Sequence, residues 1–219
     1  MYDISIIICS YKHEKWIERC LRSVLNQKLL EKNSFEIILV DDCSKDKTQK
    51  IIKQYKHFPN LKIIENKKNL GLPKSINLAM KKSSGRYLMR VDSDDYIQRY
   101  CLFMMKFFLD YNRHYQAVNC DYVKVNENEE ILKRYNVQKN YIACGVMFRR
   151  ECLFDLGLYD ESFRMREGHD LLRRFLKKYK LGHLEMPLYK YRDHKKNRTK
   201  NKKTVKKYEN FLKLKNLKK

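Results

Sequence analysis

The sequence predicts an α/β fold: a mostly parallel, Rossmann-like central sheet flanked by helices, then a smaller β/α portion and a basic helical tail. Two near-continuous β-branched runs, Ile4-Ser5-Ile6-Ile7-Ile8-Cys9 and Phe35-Glu36-Ile37-Ile38-Leu39-Val40, fit strands covered on both faces. Helix-period segments separate these runs from two further short strands, and a β-α-β-α-β-α-β order argues for parallel pairing with helices on both sides.

After the first run, Ile17, Leu21, Val24 and Leu25 fall at helical spacing, with Trp16 and Cys20 widening the stripe. The second run ends in Asp41-Asp42-Cys43-Ser44, a loop and cap signal, before a helix through Ile51, Ile52 and Tyr55. Leu61 to Ile64 is the third strand. Asn69-Leu70-Gly71-Leu72-Pro73 is a turn that places Pro73 near a helix start, and Ile76, Ala79 and Met80 carry that helix. Arg86 to Val91 is the fourth strand. Beyond it, Cys101 to Leu109 predicts a helix, and Ala117 to Val125 with Ile131 to Tyr135 a strand pair around Asn126-Glu127-Asn128-Glu129. Ala143 to Phe148 is an apolar segment, Arg166 to Tyr179 a helix and Leu184 to Tyr191 a strand. Helical signal returns after Thr204, where Val205, Tyr208 and Leu212 share a face.

At 219 residues and 43% hydrophobic composition the chain can bury a sizeable core, which excludes a disordered protein. No apolar run approaches the ~20 residues of a membrane span, and Met1-Tyr2-Asp3 does not open a secretory leader, so a cytoplasmic location is expected. Six of the seven cysteines (Cys9, Cys20, Cys101, Cys120, Cys144, Cys152) sit in apolar surroundings without CxxC pairing, and read as buried free thiols. The net charge is +23. From Lys190 to Lys219 there are 14 Lys and Arg against 2 Asp and Glu, so about half the excess lies in the tail. Such a field attracts phosphates of any origin.

Ligands of open α/β sheets bind beyond the carboxyl ends of the strands. Here strand one ends at Ser10-Tyr11, strand two at Asp41-Asp42 and strand four at Asp92-Ser93-Asp94-Asp95. Two carboxylates one residue apart suit a hard divalent cation, which neutralises a diphosphate leaving group. An acidic solvated loop is the plainer alternative. Asp41-Asp42 suits a base or ribose contact, or a helix start capped by Asp42 and Ser44. Lys74 meets a phosphate, or is a solvated helix-start lysine. There is no P-loop and no GxGxxG, which removes NTPase and dinucleotide-binding readings.

In order and spacing, residues 3 to about 96 resemble the family 2 glycosyltransferases of GT-A fold. The matching segments include Ser5 to Tyr11, Cys20 to Gln27, Ile38 to Thr48, Asn69 to Leu72 and Gly85 to Asp95. A weaker match covers Cys144 to Phe148 and Gly157 to Phe163, similar to that family's acceptor side. The resemblance implies a nucleotide-sugar-binding half (1–96), an acceptor-binding half of the same domain (97–192) and an additional basic tail (193–219). It implies an inverting transfer from a nucleoside diphosphate sugar, UDP-linked by preference, to a saccharide, glycoconjugate or lipid-linked saccharide. Ser10 and Tyr11 line the nucleotide pocket, Asp42 meets the base with Asp41 in support, Asp92 approaches the ribose, and Asp94 holds Mn2+ or Mg2+. Glu14, Ser93 and Lys74 complete the expected nucleotide-sugar set.

The family's general base normally follows a Glu. This chain reads Glu167-Gly168-His169-Asp170-Leu171, with Gly168 at the usual base position. Either Glu167 or Asp170 takes the role, or catalysis is impaired. Asp170 also reads as a helix-start acid, and His169 as an acceptor contact or a surface histidine. Rival readings are a nucleotidyltransferase and a degenerate transferase or nucleic-acid module that only binds. Residues 9–15 contain no glycine, against the first, and nucleic acid is not the expected partner. In the tail, Val205, Tyr208, Phe211, Leu212, Leu214 and Leu217 among lysines predict either a contact with anionic membrane or a helix packed back on the domain.

Overall fold

A computed structural model describes residues 2–31 and 34–217, the last two by backbone alone. The first half builds β1 (Ile4–Ser10), α1 (Ile17–Leu25), β2 (Phe35–Asp41), α2 (Thr48–Lys53), β3 (Leu61–Glu65), α3 (Leu72–Lys82) and β4 (Tyr87–Arg90). The second half adds β5 (Tyr96–Ile97), α4 (Cys101–Tyr111), β6 (Ala117–Val125), β7 (Ile131–Tyr135), β8 (Val146–Arg149), α5 (Arg150–Asp155), α6 (Glu167–Leu176), β9 (Leu181–Arg192) and α7 (Lys202–Leu217). One sheet runs through both halves in the order β3-β2-β1-β4-β8-β6-β9-β5, with β7 beside β6. Strands β3, β2, β1 and β4 are parallel, β8 is antiparallel to both β4 and β6, and β9 returns parallel to β6.

The β-branched runs fill both faces because both faces are covered. Ile4, Ile6, Ile8, Ile37 and Leu39 face Leu21 and Val24 of α1 and Leu102 and Met105 of α4. Ile7, Ile38 and Val40 face Ile76 and Met80 of α3, with Leu171 and Phe175 of α6 in the same layer. Each such fully buried aliphatic side chain contributes about 1.5–3 kcal/mol.

Register at the sheet centre is set by one buried carboxylate. Glu36 of β2 accepts from Ser5 Oγ (2.7 Å), Ser84 N (2.6 Å), Ser84 Oγ (2.7 Å) and Lys62 Nζ (2.8 Å). Ser5 Oγ in turn accepts the Gly85 N–H at 2.8 Å. Gly85 must be glycine, because a Cβ there would stand 2.5 Å from the Ser5 backbone nitrogen. The approach locks β4 onto β1 with Tyr87 opposite Ile4, and so fixes where Asp92 to Asp95 emerge.

Several sequence expectations change. Asp42 and Ser44 do not cap α2; the Thr48 N–H is accepted by Asp46 at 3.1 Å. Helix α5 and the short β5 were not expected, and β9 is longer than Leu184 to Tyr191, with register shifts beside Asp121. The tail helix packs back on the domain. Tyr208 and Phe211 meet Phe163 at 6.2 and 4.9 Å between ring centroids, Glu209 pairs with Arg166, and Lys215 with Asp160. The Leu217 side chain lies outside the described residues. Among those residues no helix is long and apolar enough to cross a membrane.

Hydrogen bonds hold the Glu36 carboxyl below its ordinary range although burial works to raise it. A depressed folded-state value contributes stability above the unfolded carboxyl range, near ~4.3, that is lost as pH falls through the folded value. Glu36→Gln is expected to cost about 1–3 kcal/mol at neutral pH in denaturant melts. The gap from wild type should close in acid, and a pH-independent gap would count against the ionised network.

Candidate active site

A cavity of about 610 Å³ opens beyond the carboxyl ends of β1, β2 and β4. This is within the ~300–1,000 Å³ typical of small-molecule sites. The β1 end supplies Ser10 and Tyr11. Ser10 is buried and its Oγ has no partner, leaving a polar atom for a ligand. The backbone then turns through Lys12 in the left-handed region (φ 58°). Cys43 after Asp42 (φ 66°) and Arg166 before Glu167 (φ 65°) do the same. Such strain costs of order 1 kcal/mol or more and collects at functional sites.

The β2 end divides its two carboxylates. Asp42 lines the cavity, and its carboxylate accepts the Leu70 and Gly71 N–H groups at 2.8 and 2.9 Å and the Asn66 amide at 2.8 Å. It therefore shapes the loop that walls the site. Asp41 is fully buried and turned beneath the loop, where it holds Ser44 N, Ser44 Oγ and the Gln49 amide. Asp41 supports the pocket without lining it.

The β4 end carries Arg90, 7% exposed, whose guanidinium bridges two carboxylates. Nε and Nη2 meet Asp92 at 2.5 and 3.0 Å, and Nη1 meets Glu167 Oε1 at 3.2 Å. Burial penalises this cation, but Asp92 and Glu167 more than offset that and push its pKa up. Burial likewise works to raise Glu167, and Arg90 overcomes it, holding the carboxyl low and ionised. Ser93 donates to the Cys9 carbonyl at 2.9 Å, which makes His13 Nδ1 the donor to Ser93 Oγ at 2.7 Å.

Asp94 lies at the cavity, with Oδ2 3.0 Å from His194 Nε2. His194 packs beside Trp16 (5.4 Å between centroids), and Arg192 lies over the same indole at 4.6 Å. Arg192 is buried and donates to the Asp94 carbonyl and to Glu129. Its segment continues as Lys196 to Thr199, which closes one side of the cavity. Sequence reasoning missed His194, Arg192 and this strap. The available signal was another polar strand end, Arg192-Asp193-His194, of the kind read at the other strands. The Asp94 carboxylate offers an oxygen that suits Mn2+ or Mg2+, whereas the His194 imidazole nitrogen beside it is a poor ligand for Mg2+ and favours a softer divalent metal. Asp92, Asp95 and Cys144 also converge. That group is a poorer cation site, because burial pushes the Cys144 thiol well up and Asp95 is taken by Tyr189 and the Arg192 N–H.

Besides Asp41, three expected site residues are not brought to the cavity. Glu14 is exposed and its carboxylate accepts the Lys47 N–H at 2.7 Å. Lys74 is exposed on α3, one helical step from Ser75, which does line the site. Asp170 is fully buried, drawn away by Arg173, Arg174 and Lys215 at 3.3, 2.8 and 3.2 Å. Glu167, Gly168 and His169 do line the cavity. Burial and then Arg166 push the His169 pKa down to about 4, so its imidazole is neutral at physiological pH.

The sequence pattern of glycosyl transferase family 2 matches residues 5–166. The chain belongs to that family. The putative glycosyltransferase EpsE of Bacillus subtilis is 30% identical over 206 residues, 87% of this chain and 73% of that protein. The poly(ribitol-phosphate) beta-N-acetylglucosaminyltransferase TarS of Staphylococcus aureus is 39% identical over 111 residues. That match takes in 50% of this chain but only 19% of TarS. The structure of S. aureus TarS 1–349 with UDP superposes with a TM-score of 0.74 at 25% identity, covering 87% of this chain and 60% of that one. With UDP-GlcNAc bound, the TarS fragment gives 0.77 at 24% identity, over 91% and 61%. The fold is GT-A, and the chain carries a family 2 glycosyltransferase domain.

Gly168 is held by packing. A Cβ on Gly168 would stand 2.2 Å from the Ala143 Cβ. Gly168→Ala is expected to destabilise by about 1–3 kcal/mol through overpacking, outweighing the ~1 kcal/mol helix-propensity gain. Adding Ala143→Gly should recover most of the loss in denaturant melts. A single variant as stable as wild type would contradict the close contact.

Proposed function

We propose that the chain transfers a sugar, with inversion, from a UDP-linked donor to a hydroxyl of a saccharide or glycoconjugate acceptor. The observation that carries this reading is the convergence of Ser10, Asp42, Asp92 and Asp94 on one cavity at the ends of three parallel strands. The TarS structures with UDP and UDP-GlcNAc support the donor class. Relatives named for poly(ribitol-phosphate) acceptors support an anionic polyol or saccharide chain as acceptor.

In this reading the unpartnered Ser10 hydroxyl and the Asp42-braced loop hold the base. Asp92, oriented by Arg90, meets the ribose. Asp94 with His194 holds a divalent cation, which when bound neutralises the departing diphosphate. The exposed cations at the cavity, Lys12, Arg164, Lys196 and Arg198, attract the phosphates. Glu167 is the acceptor-side carboxylate at the cavity, and takes the proton of the attacking hydroxyl. The packed Gly168 also supports a second reading, a protein that binds the nucleotide sugar without turning it over.

Thermal-shift titration with UDP, ADP and GDP, each with and without Mn2+, tests the donor assignment. UDP with Mn2+ should stabilise most, and Asp94→Asn or His194→Ala should abolish the metal-dependent part while preserving the fold. Equal response to ADP would defeat the uridine assignment. Turnover tests the chemistry: Glu167→Gln should lower kcat by roughly 10²-fold or more with donor affinity little changed. Asp170→Asn should instead lower the melting temperature. Wild type that binds UDP-sugar yet transfers nothing to any acceptor would favour the binding-only reading.

A further inference from the structure

We propose that the outer face of α4 is a docking surface for an anionic lipid bilayer. The inward face of this helix buries Leu102, Met105 and Leu109 in the core. Outward, Tyr100, Phe103, Phe107 and Tyr111 follow one another at steps of three, four and four, which places them in a single ridge about 16 Å long. Three of the rings pack on one another. Phe103 and Phe107 are 5.9 Å apart by centroid, and Phe107 and Tyr111 4.5 Å. Tyr100, Phe107 and Tyr111 are 45%, 49% and 75% exposed.

The ridge is extended by a second element. The loop after α1 is tied to the start of α4 by the Lys28 N–H on the Arg99 carbonyl at 2.9 Å. That tie presents Leu29, which is 67% exposed and held in the left-handed region at φ 59°. An exposed leucine in a strained backbone position gains nothing from the fold. Around the ridge, Lys28, Arg99 and Arg113 are exposed and have no ion-pair partner among the described residues. The carboxylates of Asp110 and Asp3 are occupied by Arg86 and Lys106. Glu31 of the same loop is exposed and also without an ion-pair partner among the described residues, so three free cations face one free carboxylate and the local field is net positive.

Aromatic rings and an aliphatic side chain framed by Lys and Arg match a bilayer interface, where the rings sit at headgroup level and cations meet anionic lipid. A second copy of the chain fits less well, because ridge-to-ridge contact would oppose like cations on a protein already at +23. Single-stranded nucleic acid would use the rings but not Leu29. No α4 residue lines the catalytic cavity, so the proposal is independent of the transferase reading.

The test is co-sedimentation of the full chain with phosphatidylcholine vesicles, with and without phosphatidylglycerol, at physiological salt. Wild type should bind the anionic vesicles. Leu29→Ser with Phe107→Ser should weaken partitioning by roughly tenfold or more at unchanged melting temperature. Tyr111→Ser, the most exposed site, should weaken it in the same direction and guards against misfolding of the double variant. Lys203→Ser with Lys207→Ser on α7 should have a smaller effect. Ridge variants that bind like wild type would overturn the proposal, as would wild type that ignores anionic vesicles. So would a lipid-free dimer that the ridge variants dissociate while vesicle binding stays unchanged, or a loss confined to single-stranded RNA binding.

Discussion

The Arg90 guanidinium is the constraint on which the site depends. It is buried at the end of β4 and holds two carboxylates of the cavity, Asp92 just beyond β4 and Glu167 at the start of α6. Removing one partner of such a buried pair generally costs about 3–5 kcal/mol, because the remaining charge is left desolvated and uncompensated. The bridge is therefore unlike the surface ion pairs elsewhere in the molecule. It fixes the distance between the residues assigned to ribose and to acceptor, and holds the Glu167 carboxyl low against its burial. Glu36 acts one layer below, holding the strands that carry Arg90 in register.

Much of the fold was legible in the sequence. Ile4 to Cys9 and Phe35 to Val40 have no polar face because helices cover both sides of the sheet, and that pattern survives without knowledge of any contact. Strand pair β6–β7 was legible for the opposite reason: Asn126 to Glu129 is a polar turn between apolar runs. Helix α5 was not, since Arg150 to Asp155 is only six residues long and has little periodicity to read. The tail left two readings open, and the Phe163 contact with Tyr208 and Phe211 favours the packed one.

The site was legible to the level of strand ends but not of side-chain direction. Asp41 and Asp42 are adjacent, so they point to opposite sides of the backbone. Only the fold decides which faces the cavity. Lys74 and Ser75 differ by one helical step with the same outcome. Asp170 looked available as a base because sequence does not reveal Arg174, four residues on, or Lys215, 45 residues away, closing on it. His194 lay beyond the matched region, and its approach to Asp94 is a 100-residue contact made by the return of β9.

The attachment of α7 has a consequence of its own. Its contact combines ion pairs, Glu209 to Arg166 and Lys215 to Asp160 and Asp170, with an aromatic cluster on Phe163. The two respond differently to the medium: screening weakens partly exposed ion pairs within a Debye length of about 8 Å at physiological ionic strength, while ring packing is unaffected by it. As salt rises the more exposed Arg166–Glu209 pair would weaken first, while Lys215, paired with the fully buried Asp170 and lying over the Phe163 ring, keeps its hold. Because Arg166 immediately precedes Glu167, ionic strength would bear first on how firmly the backbone before Glu167 is held.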